Sequence, residues 1–127
     1  MPHFIIDCSE DILLEKTPEE IMAAVYQVAT SSGLFAVNDV KVRLRPFQFY
    51  KLGDGKKNFI HIFGFIMEGR SIEQKKSLSQ QIVSRLREFF PAISFLSINI
   101  SEFEFESYCN KSLINPENIG NDRHFEL

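Results

Sequence analysis

Residues 58–90, NFIHIFGFIMEGRSIEQKKSLSQQIVSRLREFF, decide the fold of this chain. An apolar run over 58–69 predicts a buried strand, and the pattern that follows predicts a helix over 71–90. Ser71 and Gln74 form an S-x-x-Q capping box, a common start of a helix. The apolar stripe of this helix recurs at i, i+4 and i+8 and consists of Leu78, Ile82 and Leu86.

The same pattern occurs once earlier in the chain. HFIIDCS (3–9) is an apolar run, and TPEEIMAAVYQVATSSG (17–33) is a helical pattern that opens with a T-x-x-E capping box. A shift of about 54–56 positions matches the two halves and pairs Thr17 with Ser71. The sequence therefore predicts an internal repeat of strand and helix.

Each half ends in a strand of alternating polarity. In VKVRLRPFQFYKL (40–52) apolar and basic residues face opposite sides, and Pro46 predicts a bulge or an edge position. The second such strand is FLSINISEFEFESY (95–108). Two strands joined by a helix call for a parallel connection. Alternation puts three basic residues on one face of the first of these strands: Lys41, Arg43 and Arg45. It puts three acidic residues on one face of the second: Glu102, Glu104 and Glu106.

These elements predict an α+β fold. Two pseudo-symmetric β-α-β units, at about 1–55 and 56–109, form one four-stranded sheet with both helices on one face. At 127 residues the chain has the size of a single domain, here followed by a tail over 110–127. The tail fits a short strand or hairpin as well as a partly ordered segment. Because the other sheet face would be bare and rich in phenylalanine, we expect further subunits to cover it; the alternative is a monomer with a polar outer face.

Composition argues against several functional classes. A net charge of −3 does not suit a nucleic-acid partner. Cys8 and Cys109 lie far apart, without metal-binding spacing, and are expected to be free thiols in a reducing compartment. No metal cluster, Ser/His/Asp arrangement or phosphate-binding glycine loop can be assembled. Without a signal peptide or a run of ~20 apolar residues, a cytoplasmic protein with no membrane partner is expected.

Two segments resemble the tautomerase superfamily. EGRSIEQKKSL (68–78) is similar to the EGRS-x-EQK-x-x-L segment of the 4-oxalocrotonate tautomerase group. MPHFIIDCS (1–9) and the doubled layout resemble the 5-carboxymethyl-2-hydroxymuconate Δ-isomerases within that superfamily, over essentially the whole chain. The resemblance implies a homotrimer with its sheets lining the centre. It also implies a cofactor-free isomerase (tautomerase) of unsaturated 2-hydroxy or keto carboxylic acids.

The resemblance also implies roles for four residues. If Met1 is removed, Pro2 becomes a secondary amine and the general base; an α-amino group titrates nearer neutral pH than a carboxylate or a lysine. Arg70, next to a helix N-terminus, would bind the far carboxylate of a dicarboxylate substrate. The strand arginine of the family corresponds to Lys41 here. Because lysine lacks the planar fork of arginine, Arg43 on the same face would share this role.

Two alternatives stay open at this point. If Met1 is retained, the nitrogen of Pro2 is an amide without basic character, and the chain would be a non-catalytic trimeric binding protein on the same scaffold. Relatives in the superfamily also hydrate, decarboxylate or dehalogenate unsaturated acids. The departure at Lys41 leaves such chemistry possible.

The histidines carry weaker indications than these four residues. Strand alternation points the side chain of His3 away from that of Pro2, so we expect it at a surface or an interface. His61 lies within the apolar run FIHIF and is expected to be a hydrogen-bonded histidine of the core or of an interface.

Overall fold

A computed structural model describes residues 1–114 of the chain. Its four strands form one mixed sheet in the order β2-β1-β3-β4. As predicted, β1 and β2 are parallel and so are β3 and β4, while β1 and β3 pair antiparallel in the centre. The elements are β1 (His3–Ser9), a 3-10 helix (Glu10–Leu14), α1 (Pro18–Ser31), β2 (Lys41–Phe47), β3 (Phe59–Met67), α2 (Ile72–Phe89), β4 (Phe95–Phe103) and α3 (Lys111–Ile114).

Both long helices begin at the predicted caps. The Thr17 hydroxyl accepts a hydrogen bond from the N–H of Glu20 at 3.2 Å, and the Ser71 hydroxyl accepts one from the N–H of Gln74 at 3.1 Å. The reciprocal bonds that complete each capping box are also present. Within residues 1–114, no helix is long and apolar enough to span a membrane. The two units thus start their helices by the same device.

The core lies between the two long helices and one face of the sheet. Gly64 of β3 leaves no room for a side chain, because a Cβ there would come within 2.7 Å of Ile100 Cδ1 and 3.2 Å of Phe4 Cε1. The predicted α+β fold, with both helices on one face, is confirmed. Buried side chains that form this core include Phe4, Ile6, Cys8, Ile21, Val25, Ile60, Ile62, Leu78, Ile82 and Leu86.

The second face of the sheet, which we call the open face, lies opposite the two long helices α1 and α2. Alternate strand residues form it: His3, Ile5 and Asp7; Lys41, Arg43 and Arg45; His61, Phe63 and Phe65; and Ser97, Asn99, Ser101 and Phe103. His61 contacts Ser97 Oγ and Asn99 Oδ1, each at 2.7 Å. It is therefore hydrogen-bonded as expected, but the alternative that placed it in the core is wrong.

The closing strands are shorter than the sequence indicates. β2 ends at Phe47 because β1, its only strand partner among the described residues, ends at the paired residue Ser9. β4 ends at Phe103, opposite the last residue of β3. Beyond that point the chain turns, and the N–H of Tyr108 donates to the carbonyl of Glu104 at 3.2 Å. The strands predicted over 40–52 and 95–108 were therefore too long, and Glu104 and Glu106 do not continue the strand face of Glu102.

Two smaller expectations concern an edge and the tail. Pro46 lies in β2, an edge strand, which fits the absence of an N–H donor. In the tail, Lys111–Ile114 form one helical turn, so the predicted strand or hairpin does not start there. The rest of the tail prediction, over 115–127, lies outside the described residues.

Candidate active site

The start of β1, the start of β2 and the end of β3 lie together at one edge of the sheet, the edge that is formed by the ends of the strands. Because β1 and β3 are antiparallel, with His3 paired to Phe65, Pro2 lies where β3 is about to end. Because β2 is parallel to β1, it starts at the same edge, and the N–H of Lys41 donates to the Pro2 carbonyl at 3.1 Å. Arg70, in the junction that follows β3, belongs to this edge as well.

The N-terminus is buried rather than exposed. Pro2 is buried, and only 7% of the surface of Met1 is accessible. In the described chain the nitrogen of Pro2 belongs to the Met1–Pro2 peptide bond and has no basic lone pair. The side chain of Met1 therefore occupies protected space next to the proposed base.

Lys41 and Arg43 lie beside the N-terminus on the open face of β2. The Lys41 ammonium donates to the carbonyl of Asp39 at 2.7 Å. Arg43 Nη1 lies 3.1 Å from Nδ1 of His3. Neither cation forms an ion pair with a carboxylate within residues 1–114. Their charges remain available to an anionic ligand.

Arg70 is delivered by a turn that requires glycine. Gly69 has a φ of 118°, which residues with a Cβ rarely adopt. After this turn the Arg70 guanidinium contacts two backbone carbonyl groups of the same chain. It donates to the carbonyl of Leu34 and, at 3.4 Å, to that of Met67. Two N–H groups of Arg70 that could bind a carboxylate thus donate to backbone carbonyl oxygens instead.

Aromatic rings connect Arg70 to the first strand. The guanidinium carbon lies 5.2 Å from the ring centroid of Phe35, and that ring meets Phe4 edge-on at 6.2 Å. Burial lowers the pKa of Arg70, and the carboxylate of Glu102 partly offsets this effect. Arg70 therefore lies in a partly desolvated position, where a bound anion interacts strongly.

The predicted site residues do not all meet within one described chain. Pro2, Lys41 and Arg43 lie together at the start of β1 and β2. The ring contacts of Arg70 lead through Phe35 to Phe4 of β1 and not to any of these three residues. Sequence reasoning missed the contact between His3 and Arg43. The strand register carries the signal for it, because the parallel pairing puts both residues on the same face of neighbouring strands.

Other chemistries find little support among the described residues. Within residues 1–114, no three His, Cys, Asp or Glu side chains are grouped so that they could hold a metal ion. Cys8 and Cys109 are both free thiols. Burial, with smaller contributions from Asp7 and Asp11, raises the pKa of Cys8 to about 11, so this thiol is poorly suited to act as a thiolate nucleophile.

Comparisons with known proteins identify the family of the chain. The family model described as 5-carboxymethyl-2-hydroxymuconate isomerase matches residues 2–117. A 5-carboxymethyl-2-hydroxymuconate Delta-isomerase from Escherichia coli is 25% identical over 108 residues, which cover 84% of this chain and 86% of that protein. The crystal structure of a 5-carboxymethyl-2-hydroxymuconate isomerase from Deinococcus radiodurans R1 is 26% identical, with a TM-score of 0.75 and coverage of 87% and 88%.

A more distant structure shares the fold. A fused 4-OT, solved as an asymmetric trimer, has a TM-score of 0.68 at 13% identity and covers 86% of this chain and 92% of its own. The superfamily resemblance that the EGRS segment and the N-terminal motif indicated is thus confirmed. The chain belongs to the 5-carboxymethyl-2-hydroxymuconate isomerase family of the tautomerase superfamily, and it is an isomerase of that type.

Proposed function

We propose that the mature chain is a cofactor-free tautomerase with Pro2 as its general base. Its substrate would be an unsaturated 2-hydroxy dicarboxylate similar to 5-carboxymethyl-2-hydroxymuconate, the compound in the names of its relatives. One observation carries the proposal. Pro2 is buried at the start of a central strand, and its carbonyl is bonded to the strand that bears Lys41 and Arg43.

The reaction requires a single group that accepts and returns a proton. The base removes the proton of the 2-hydroxyl group, and the same proton is delivered to a carbon of the conjugated chain, so no redox partner is needed. A prolyl amine is more basic than a primary amine. Burial and nearby cations would lower its pKa toward neutral pH, where a general base is most effective.

The cations of β2 would stabilise the charge that develops on the substrate. Removal of the hydroxyl proton leaves negative charge on the oxygen next to the first carboxylate. Lys41 and Arg43, which have no carboxylate partner within residues 1–114, are the nearest available positive charges on β2. Positive groups that are already in place when charge develops lower the barrier.

Arg70 would bind the second carboxylate of the substrate. Its guanidinium is partly desolvated and is held by the carbonyl groups of Leu34 and Met67. A carboxylate can accept two parallel hydrogen bonds from a guanidinium and replace such neutral partners with stronger, charge-assisted ones. Arg70 would therefore set the preference for dicarboxylates.

Removal of Met1 would create the base and open its pocket in one step. The nitrogen of Pro2 becomes an amine, and the space that the buried side chain of Met1 fills becomes available. Unprocessed chains would lack both features. Activity is therefore expected to depend on the removal of a single residue.

We also propose that the open face is covered by two further copies of the chain in a homotrimer. Phe63, Phe65 and Phe103 lie on this face, and burying their rings against a second copy would stabilise an assembly. The fused 4-OT that shares this fold is a trimer. In this proposal the units at 1–55 and 56–109 act as one domain, in a cytoplasmic enzyme with reduced cysteines and no nucleic-acid or membrane partner.

A substrate panel on Met1-free protein tests the proposed function. We expect isomerisation of 5-carboxymethyl-2-hydroxymuconate, followed through the absorbance of the conjugated system, and slower turnover of 2-hydroxymuconate and phenylenolpyruvate. Assays for halide release from a 3-haloacrylate and for carbon dioxide release from a 3-oxo acid address the alternative chemistries. Binding of the dicarboxylate without turnover, or faster release of halide or carbon dioxide, would contradict the proposal.

A further inference from the structure

We infer that His3 is a positioning residue: as a neutral imidazole it accepts a hydrogen bond from Arg43 and so fixes the guanidinium beside the N-terminus. The kinetic consequence rests on the proposed function, whereas the contact can be tested without it. The two residues lie on neighbouring parallel strands, and Arg43 Nη1 is 3.1 Å from His3 Nδ1. This contact gives Arg43 its only hydrogen-bonded side-chain partner among residues 1–114.

The chemistry of the two side chains fixes the direction of the bond. A guanidinium only donates hydrogen bonds and stays protonated in proteins. Nδ1 of His3 must therefore offer a lone pair, which places the imidazole proton on Nε2. A doubly protonated imidazole has no acceptor at all. The contact therefore selects one protonation state and one tautomer of His3.

The charges around His3 favour this neutral state. Burial lowers its pKa most, followed by Lys41, Arg43 and the amino terminus. Lys41 and Arg43 lie on β2, and the amino terminus directly precedes β1, the strand of His3. A protonated His3 would be a further positive charge in this cluster, so the ring is neutral near pH 7.

The remaining neighbours of His3 do not reverse this balance. On the β4 side its ring meets Phe103 edge-on, with centroids 6.2 Å apart, and the ring of Tyr108 lies beyond Phe103. Across β3 it is paired with Phe65. Asp7 shares the face and strand of His3, but its carboxylate is held by Arg45.

The Asp7–Arg45 pair is bidentate. Arg45 Nε donates to Asp7 Oδ1 at 2.9 Å, and Nη2 donates to Oδ2 at 3.3 Å. This pair neutralises the carboxylate that shares the open face of β1. A cationic site thus keeps a neutral histidine, and that histidine holds one of the cations in place.

Protonation of His3 should release Arg43. The acceptor is lost, and the new positive charge repels the guanidinium. In the mature protein kcat/KM would then fall on the acid side as His3 is protonated, with a midpoint below the ordinary histidine value of 6.5. The loss should appear mainly in kcat, because Arg43 is proposed to stabilise charge that develops during the reaction.

Two substitutions at position 3 separate positioning from packing. In His3→Asn the amide oxygen offers an acceptor close to the place of Nδ1 but cannot titrate, so we expect kcat near the native value at pH 7 and the loss of the His3 acid limb. His3→Leu retains apolar bulk without an acceptor. We expect it to lower kcat about 10- to 100-fold, the scale of a lost hydrogen bond to a charged group. His61→Asn is the matched control, because His61 lies on the same face but contacts Ser97 and Asn99.

Nitrogen-15 NMR of Met1-free protein tests the contact directly. We expect the proton of His3 on Nε2 at pH 7 and a protonation midpoint below 6.5, which Arg43→Ala should raise by removing a cation. A proton on Nδ1, or equal native kcat values in His3→Leu and His3→Asn, would overturn the inference. Failure of the proposed function is a different result: Pro2→Ala would then keep native activity, whatever the tautomer of His3.

Discussion

The two β-α-β units begin their helices with the same capping box and pair their strands in the same parallel sense, but they carry different side chains at equivalent positions. The residue before the first strand is Pro2 in one unit and Asn58 in the other. Matching the strand registers pairs Lys41 with Phe95 and Arg43 with Ser97. The first unit therefore holds the proposed base and the strand cations, whereas the second unit has uncharged residues at the three equivalent positions.

The residue before each helix cap shows the opposite asymmetry. Lys16 in the first unit lies over the ring of Phe89 at 4.7 Å and pairs with Glu20 at 3.8 Å. Arg70 in the second unit lies over the ring of Phe35 at 5.2 Å and has no carboxylate ion-pair partner within residues 1–114. The cation of the first unit is thus paired with a carboxylate, whereas that of the second, in the described part of the chain, is not.

The comparison separates the requirements of the fold from those of the chemistry. Capping boxes, apolar stripes and strand pairing recur in both units because each unit needs them to fold. The proposed base and the proposed carboxylate anchor occur once each, in different units, because the proposed site would draw on both. Substitutions in the folding features should therefore act alike in the two units, and substitutions in the site should not.

In Met1-free protein, the largest difference in kcat/KM between equivalent substitutions in the two units is expected for Pro2→Ala and Asn58→Ala. Pro2→Ala leaves a primary amine without the rigid ring, and a misplaced base should cost about 10²- to 10⁴-fold in kcat/KM. In the control Asn58→Ala, loss of the bond from the Ser94 N–H to Asn58 Oδ1, 2.8 Å long, should lower stability while kcat/KM stays native. Steady-state kinetics with a matched thermal melt would measure both. Equal effects of the two substitutions on kcat/KM would contradict the proposed difference between the two units.

A smaller asymmetry is expected between Arg70→Ala and Lys16→Ala. Loss of a charge-assisted pair with the substrate carboxylate corresponds to about 10- to 100-fold in kcat/KM, mostly through KM. Lys16→Ala removes the ion pair with Glu20 and the contact with the ring of Phe89, which lie outside the proposed site, and should leave kcat/KM unchanged. Kinetics with a dicarboxylate and a monocarboxylate substrate check this, because Arg70→Ala should matter little for the monocarboxylate. A similar loss with both substrates would remove Arg70 from its proposed role.

The smallest expected effects are symmetric. Thr17→Ala and Ser71→Ala each remove an N-cap and should lower the free energy of unfolding by about 1 kcal/mol. Denaturant titrations of the two variants should agree to within about 0.5 kcal/mol. A much larger loss in one of them would show that the two units do not contribute equally to the fold.

Local patterns explain how much of the fold could be predicted from the sequence. The capping boxes and the alternating strands are local, and their repetition was enough to predict two parallel units with both helices on one face. The strand ends could not be predicted, because β2 stops where its neighbour β1 stops rather than where its own residues change. The antiparallel pairing of β1 with β3 depends on packing between the units, which no local pattern records.

The candidate site was only partly predictable for the same reason. The resemblance named Pro2, Lys41, Arg43 and Arg70, and the strand register brings the first three to one edge of the sheet. The contact of His3 with Arg43 requires the relative alignment of two strands about 40 residues apart, which alternation alone does not give. One carbonyl partner of Arg70, that of Leu34, likewise comes from a loop of the other unit.

The most direct test of the account compares activity with the extent of Met1 removal. Preparations made with increasing co-expression of methionine aminopeptidase, which acts on the nascent chain before Met1 is buried, would each be divided between intact mass spectrometry and a kcat/KM assay. The account predicts that activity rises in proportion to the Met1-free fraction and extrapolates to zero when every chain retains Met1. Full activity in chains that retain Met1 would contradict it, because the nitrogen of Pro2 is then an amide and cannot accept the proton.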